Sequence, residues 1–327
     1  MDQLTHTAVG LFLSRTGLNR TTPRATAILI VAANIPDCDT VSLLHGSATY
    51  LVWHRNITHS LIAMPVMALL SVALVRAFVR GPIRWLPAFI AGLIGVASHL
   101  LLDLTNTYGI RLLLPFSSHW FRLDIAPLPD LWAWLILALG IAGPFLSRLV
   151  GSEISSGHTR VRSYGRGGAI FALLVFALYD GGRAILHIRA VNVMESRLYQ
   201  GTPPLRVAAT PTSSNPLRWG GIVEMPGFYA YEMVDLTRDF DPRRAFILTK
   251  PDPTPTMAAA RRTVPFQAFL QWTQYPLWRL TPSDKIEDAT RVEAFDLRFG
   301  SPATPMFVAR ALVDRNLRVL ESSFQFR

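Results

Sequence analysis

Apolar positions run unbroken for long stretches over the first 190 residues of this chain and alternate with polar ones over residues 200–327. Residues 60–79, 86–104, 131–150 and 168–189 are each about the length that an α-helix, rising 1.5 Å per residue, needs to cross about 30 Å of hydrocarbon. Two earlier runs, 3–16 and 25–35, are shorter, and the second stops at Pro36. They predict either a helical hairpin packed inside the protein or two tilted, extended spans. Pro65 predicts a kink in the 60–79 helix. Residues 151–167 are a Ser/Gly/Arg loop. Beyond residue 200, Pro and Gly rise and period-two segments appear at 217–225, 228–236, 291–300, 306–315 and 317–326, the pattern of half-buried strands. Asp314, Arg315 and Asn316 predict a hairpin turn between the last two strands, and 264–275 predicts a helix across the sheet. The expected fold is a mainly α, polytopic membrane domain of about five to six helices, some short, over residues 1–190. A smaller β-rich α+β extramembrane domain follows over 191–327.

Composition sharpens the membrane reading. Half of the 327 residues are hydrophobic and 17% are charged, and the mean hydropathy is +0.29. The net charge of +10 raises nucleic acid as a partner, but the arginines gather at the ends of apolar runs, which fits membrane topology rather than a DNA-binding face. Arg15, Arg20 and Arg24 mark one turn; Arg76, Arg80 and Arg84 the next; Arg148, Arg160, Arg162 and Arg166 the third. Alternate threading puts all three clusters on one face, which the positive-inside rule assigns to the cytoplasm. The opposite ends, with the C-terminal domain, then face outward, provided that the first two short helices behave as spans. Asp180 and Arg183, three apart in the last apolar run, predict an internal ion pair. The single Cys38 excludes an intramolecular disulfide and a Cys-rich zinc knuckle. MDQLTH lacks a basic n-region, so no cleavable signal peptide is expected.

Candidate chemistry sits at the outward ends. His99 and Asp103 are four apart on an apolar helix, so they project from one face. Burying both is costly unless they pair with each other or with a bound cation. Three further groups fall at the same end: His6 beside Asp2, then Asp37 and Asp39 in PDCD, then His54, Arg55 and His59 in HRNITHS. Imidazole nitrogens and carboxylate oxygens suit a divalent metal, zinc first, with manganese or iron as alternatives. The expected metal ligands are His6, Asp37, His54, His59, His99 and Asp103. Their surplus over four suits a two-metal site bridged by Asp37 or Asp103. Asp37, Asp39 or Asp124 would accept a proton, and Arg55 would stabilise charge developing on a substrate. Each group has a plainer alternative: a turn at PDCD, a helix cap near Thr58 and Ser60, a satisfied half-buried ring at His6. It is their convergence that favours a metal.

Four pieces, DQLTHTAVG, NIPDCD, HRNITHSL and SHLLLDLTNTYGIRLLLPF, resemble in order and spacing the YdjM-like family of inner-membrane, metal-dependent hydrolases. The resemblance covers residues 1–190, and NPLRWGGIVE resembles a segment following this core in longer members. It implies a multi-pass protein of a bacterial-type inner membrane with a metal-dependent hydrolase site, and His6, Asp37, Asp39, His54, His59, His99 and Asp103 as site residues. The expected substrate is membrane-embedded or membrane-proximal, a lipid or phosphate ester. The bilayer is the expected surrounding partner, and no nucleic acid is expected. Two rivals remain at this stage. A transporter would need polar groups along a path through the membrane, whereas here they gather at one end. A scaffold with a structural metal site would have closed coordination.

Overall fold

The computed structural model describes residues 1–79, 81–154, 165–284 and 286–326, with the backbone alone over 144–154. Of the expected basic positions, Arg80, the Arg148 side chain, Arg160 and Arg162 lie outside the described residues, as does most of the expected 151–167 loop.

The chain divides into two compact units. The first comprises Met1–Cys38, Arg55–His187 and Pro211–Pro216; the second comprises Asp39–His54, Ile188–Thr210 and Leu217–Arg327. The short stretch Asp39–His54 is thus grouped with the C-terminal residues rather than with the helices that flank it in sequence.

In the first unit the apolar runs become helices. They are α1 (Gln3–Arg15), α2 (Ala25–Ala32), α4 (Met64–Phe78), α5 (Trp85–Leu104), α6 (Leu131–Ile154) and α7 (Gly165–Glu195), the last continuing into the second unit. Helix α3 (Ser47–Trp53) belongs to the second unit. Among the described residues two helices, α5 and α7, are long and apolar enough to cross a membrane, and the number rises to four if each of two bent helix pairs counts as one span. Asp2 caps α1, accepting from the Thr5 backbone N–H at 3.0 Å and the Thr5 hydroxyl at 2.8 Å; such a cap contributes about 1 kcal/mol. Pro65 lies in the first turn of α4, where its missing N–H costs nothing and no kink follows. Arg183, expected to pair with Asp180, donates its Nε–H to the Ile125 carbonyl at 2.9 Å.

Helix α5 approaches its neighbours at glycines. A Cβ on Gly95 would stand 2.6 Å from the Ala32 Cβ and 3.0 Å from the Leu29 carbonyl oxygen; one on Gly92 would stand 2.9 Å from the Ala68 carbonyl oxygen. Small residues allow this close approach where lipid-embedded helices have little hydrophobic drive to associate. Around the contact Ile28, Leu29, Val72 and Ala88 form one buried cluster, and Ala32, Ala68, Val96 and Leu100 form another. The unit has two unlike ends. At one, the α1–α2 and α4–α5 turns meet: the Arg84 N–H donates to the Thr22 hydroxyl at 3.1 Å, and Arg166 lies beside Gly17. Arg20 and Arg24 belong to this end. At the other, α1 and α4 begin while α2 and α5 finish.

The second unit is an α/β plait with two four-stranded antiparallel sheets, ordered β1-β2-β3-β4 and β5-β6-β7-β8. The first contains β1 (Arg206–Pro211), β2 (Arg218–Glu224), β3 (Phe228–Asp235) and β4 (Phe246–Thr249); the second contains β5 (Pro276–Pro282), β6 (Thr290–Asp296), β7 (Phe307–Val313) and β8 (Val319–Phe326). Helices α8 (Pro255–Arg261) and α9 (Val264–Trp272) stand between the sheets in sequence. One core serves both sheets, with Ile222 and Tyr229 from the first and Leu277, Phe295 and Val308 from the second. Beneath it Asp296 is fully buried, gripped by Arg298 through Nε at 2.9 Å and Nη2 at 2.8 Å, and by the Thr273 hydroxyl at 2.7 Å. Burial alone would raise the pKa of this carboxyl, but the Arg298 guanidinium and these hydrogen bonds hold it well below the usual range.

Two outcomes are expected. Gly95→Leu should destabilise the helical unit by about 1–3 kcal/mol through overpacking, read as a lower Tm in detergent. Gly181→Ala, whose new Cβ meets no neighbouring element within 4 Å, should keep or slightly raise Tm, since alanine is the better helix former. Because the folded pKa of Asp296 is depressed, its stabilising contribution is complete above the unfolded carboxyl's pKa of about 4 and is lost as pH falls below it. Tryptophan fluorescence should therefore show acid unfolding of the plait that shifts to higher pH in Arg298→Met.

Candidate metal centre

Four side chains converge at the end of the first unit where α2 and α5 finish. His99 and Asp103 come from the last turns of α5, Asp37 from the 3-10 run Ile35–His45 that follows α2, and His59 from the 3-10 turn Ile57–His59 before α4. The imidazole Nε2 of His59 lies 3.3 Å from Asp37 Oδ1 and 3.3 Å from Asp103 Oδ2. That of His99 lies 3.7 Å and 3.4 Å from the same two oxygens, and the two Nε2 atoms are 3.1 Å apart. Four ligands at about 2.0–2.1 Å from one tetrahedral ion stand about 3.3 Å from one another. The five separations therefore match the edges of a coordination tetrahedron.

The atoms behind the four donors explain why they point inward. The His99 Nδ1 faces the Ala33 carbonyl oxygen at 2.7 Å. A carbonyl can only accept, so Nδ1 carries the proton and Nε2 presents its lone pair to the centre. The Nδ1 of His59 lies 3.0 Å from the Thr58 hydroxyl. Each carboxylate has one oxygen engaged away from the centre. Asp37 Oδ2 accepts from Gln3 Nε2 at 2.9 Å, and Asp103 Oδ1 accepts from Arg55 Nη2 at 2.9 Å and from the Met1 α-amino group. The other oxygen of each, Asp37 Oδ1 and Asp103 Oδ2, is buried without a hydrogen-bond partner among the described residues.

His59, His99 and Asp103 are fully buried and Asp37 is 8% exposed. The two enclosed carboxylates have two cationic partners, Arg55 and the Met1 α-amino group, but both lie on Asp103 Oδ1, on the side away from the four-atom centre. A divalent cation among these four atoms would give both unpartnered oxygens a partner, and a buried acceptor left without one is costly. On this chemistry the residues fit a metal, and the cluster could hold one.

The remaining predicted residues take other places. His6 stacks on His99 with ring centroids 3.9 Å apart, and its Nε2 lies 3.3 Å from Asp103 Oδ1, the oxygen facing away from the four-atom centre. Both of its nitrogens are buried without hydrogen-bond partners among the described residues. Arg55, expected at a substrate, is buried, bonded to Asp103 and set 5.2 Å from the Tyr108 ring centroid. Its φ of 56° puts it in the left-handed region, a strained choice for a side chain of this size that persists where the surroundings fix it. A second ion on Asp103 Oδ1 would meet this guanidinium. Asp39 and His54 pair with each other at 2.8 Å in the second unit, where Tyr50 stacks on His54. Asp124, also expected as a proton acceptor, forms an ion pair with Arg122. Sequence reasoning missed Gln3, Thr58 and the Ala33 carbonyl, which contact the candidate ligands Asp37, His59 and His99 in turn. Thr58 and Gln3 each lie within a few residues of a candidate histidine, but no pattern marks a backbone carbonyl.

Residues 1–190 match the family described as YdjM inner membrane protein. Residues 255–326 match the YfhP C-terminal alpha/beta plait domain. The chain is 30% identical over 135 residues to the uncharacterized protein YfhP of Bacillus subtilis (strain 168), covering 38% of this chain and 40% of that relative. It therefore spans about two fifths of the length of the curated relative it matches. No solved structure matches.

Metal binding should be visible as stabilisation. An ion held only by the folded state at 100 times its Kd adds about 2.7 kcal/mol. Adding Zn²⁺ or Mn²⁺ to chelator-treated protein should raise the Tm of the wild type and leave that of His99→Ala unmoved.

Proposed function

The chain belongs to the YdjM inner membrane protein family, and on that premise we propose that it is a metal-dependent hydrolase acting on a membrane-embedded or membrane-proximal substrate, a lipid or phosphate ester. The observation that carries this reading is the pair of buried, unpartnered carboxylate oxygens converging with two imidazole Nε2 atoms. His59, His99, Asp37 and Asp103 would hold the metal. Zinc fits the nitrogen and oxygen donors, and manganese or iron fits a set with no thiolate.

A divalent ion in such a setting polarises a phosphoryl or carbonyl oxygen and makes water nucleophilic near neutral pH. The chain's own residues do the rest. The Ala33 carbonyl and Thr58 orient the two imidazoles. Arg55 anchors Asp103, so its role here is to position a ligand rather than to touch substrate. His6, stacked on His99 with its Nε2 3.3 Å from Asp103 Oδ1, buttresses both of these residues. Buried apolar neighbours such as Leu100, Leu102 and Ile110 exclude bulk water and strengthen every charge interaction at the site.

A scaffold role with a structural metal is the second reading, favoured by the near-complete burial of all four donors. Elemental analysis and turnover separate the two. Purified wild type should carry about one equivalent of metal, His59→Ala and His99→Ala much less, and phosphate-ester lipid in mixed micelles should be hydrolysed by the wild type at least about 100-fold faster than by Asp103→Asn. Metal without turnover would favour the structural role, and wild type with no more metal than the variants would end both. The reading also puts the metal end and the C-terminal domain on the outer face. On a Cys38→Ser background, an impermeant thiol reagent added outside should label His45→Cys and not Arg166→Cys; the reverse would invert the topology.

A further inference from the structure

We infer that Gln3 is a positioning residue that restricts Asp37 to one coordinating oxygen, keeping the metal centre open on its solvent-facing side. The inference rests on the metal-binding reading above. A carboxylate can offer an ion one oxygen or two, and the choice decides how many positions remain for water or substrate. At Asp103 that choice is made deep inside, where Arg55 and the Met1 α-amino group engage Oδ1. At Asp37 it is made by Gln3, whose Nε2 donates to Oδ2 at 2.9 Å while Oδ1 faces His59 and His99. Both carboxylates then act through one oxygen, and the chain supplies four donor atoms instead of six. Zinc can expand to five ligands, and octahedral ions take six.

Position matters as much as the bond. Asp37 alone of the four keeps any exposure, at 8%, and Gln3 is itself exposed beside it. The two therefore mark the mouth of the centre. Asp2, the preceding residue, fixes the start of α1 by capping it and also accepts from Trp134 Nε1 at 3.0 Å, so Gln3 projects from an anchored first turn. An amide suits the task because it donates to Asp37 without adding charge.

Cobalt(II) titration of the full-length protein in detergent tests this, since both affinity and the visible d–d bands report coordination number. Wild type should bind with bands of a four- to five-coordinate ion. Gln3→Ala should bind about 10-fold more weakly, within the 10–100-fold range of lost outer partners, with bands shifted to lower intensity as Asp37 contributes its second oxygen. Gln3→Glu, which sets a carboxylate against Oδ2, should weaken binding further, and Gln3→Asn should restore part of the wild-type spectrum. Circular dichroism on each variant confirms that α1 is intact. Gln3→Ala with wild-type affinity and bands overturns the inference and leaves the metal centre standing. Wild type that binds no cobalt overturns both.

Discussion

Asp103 is a carboxylate with no exposed surface at the end of a largely apolar helix. The cost of enclosing such a charge is several kcal/mol, comparable to the whole stability of many domains. The arrangement of the helical unit follows from meeting that cost. Arg55 and the Met1 α-amino group cover one oxygen. The start of α1, the end of α2 and the turn before α4 all come to the end of α5, and each brings a polar group to Asp103 or Asp37. What they leave uncovered is one oxygen of Asp103 and one of Asp37, facing two imidazole lone pairs.

The packing that permits this convergence is built from absence of side chain. Gly92 and Gly95 let α5 lie against α4 and α2 at backbone distance, and the His99 Nδ1 can reach the Ala33 carbonyl only because α2 and α5 are that close. The same close approach therefore associates the helices and sets the tautomer of a candidate ligand. Steric detail in the bundle and chemistry at its end are one problem, and a bulky residue at position 95 would disturb both.

Much of the fold was legible in residue order. The long apolar runs became α4 to α7, and the alternating segments became β2, β3, β6, β7 and β8, because those patterns follow directly from helix and strand periodicity. Strands β1, β4 and β5 were not anticipated: Pro211, Pro276 and Pro282 interrupt the reading of β1 and β5, and the exposed four-residue β4 shows no alternation. At the site, the four-residue spacing of His99 and Asp103 predicted a shared face, and they stand 3.4 Å apart. The separate pairing of Asp39 with His54 was not legible. HRNITHS and PDCD each straddle the boundary between the two units, and nothing local says that one residue of a tight motif belongs to one body and its neighbour to another. The bond from Arg55 to Asp103 was not legible either, since an arginine serving a substrate and one serving a buried carboxylate look alike in sequence.

Two of the helices that finish at the centre, α2 and α5, present their C-terminal carbonyl ends there. Aligned peptide dipoles give each such end a partial negative charge of about half an electron. Helices α1 and α4 begin at the same end and carry the opposite partial charge there, so the helix ends largely offset one another. Charge at this end of the bundle is therefore set by individual side chains rather than by helix ends, and a single change at Arg55 or Asp103 would tip it.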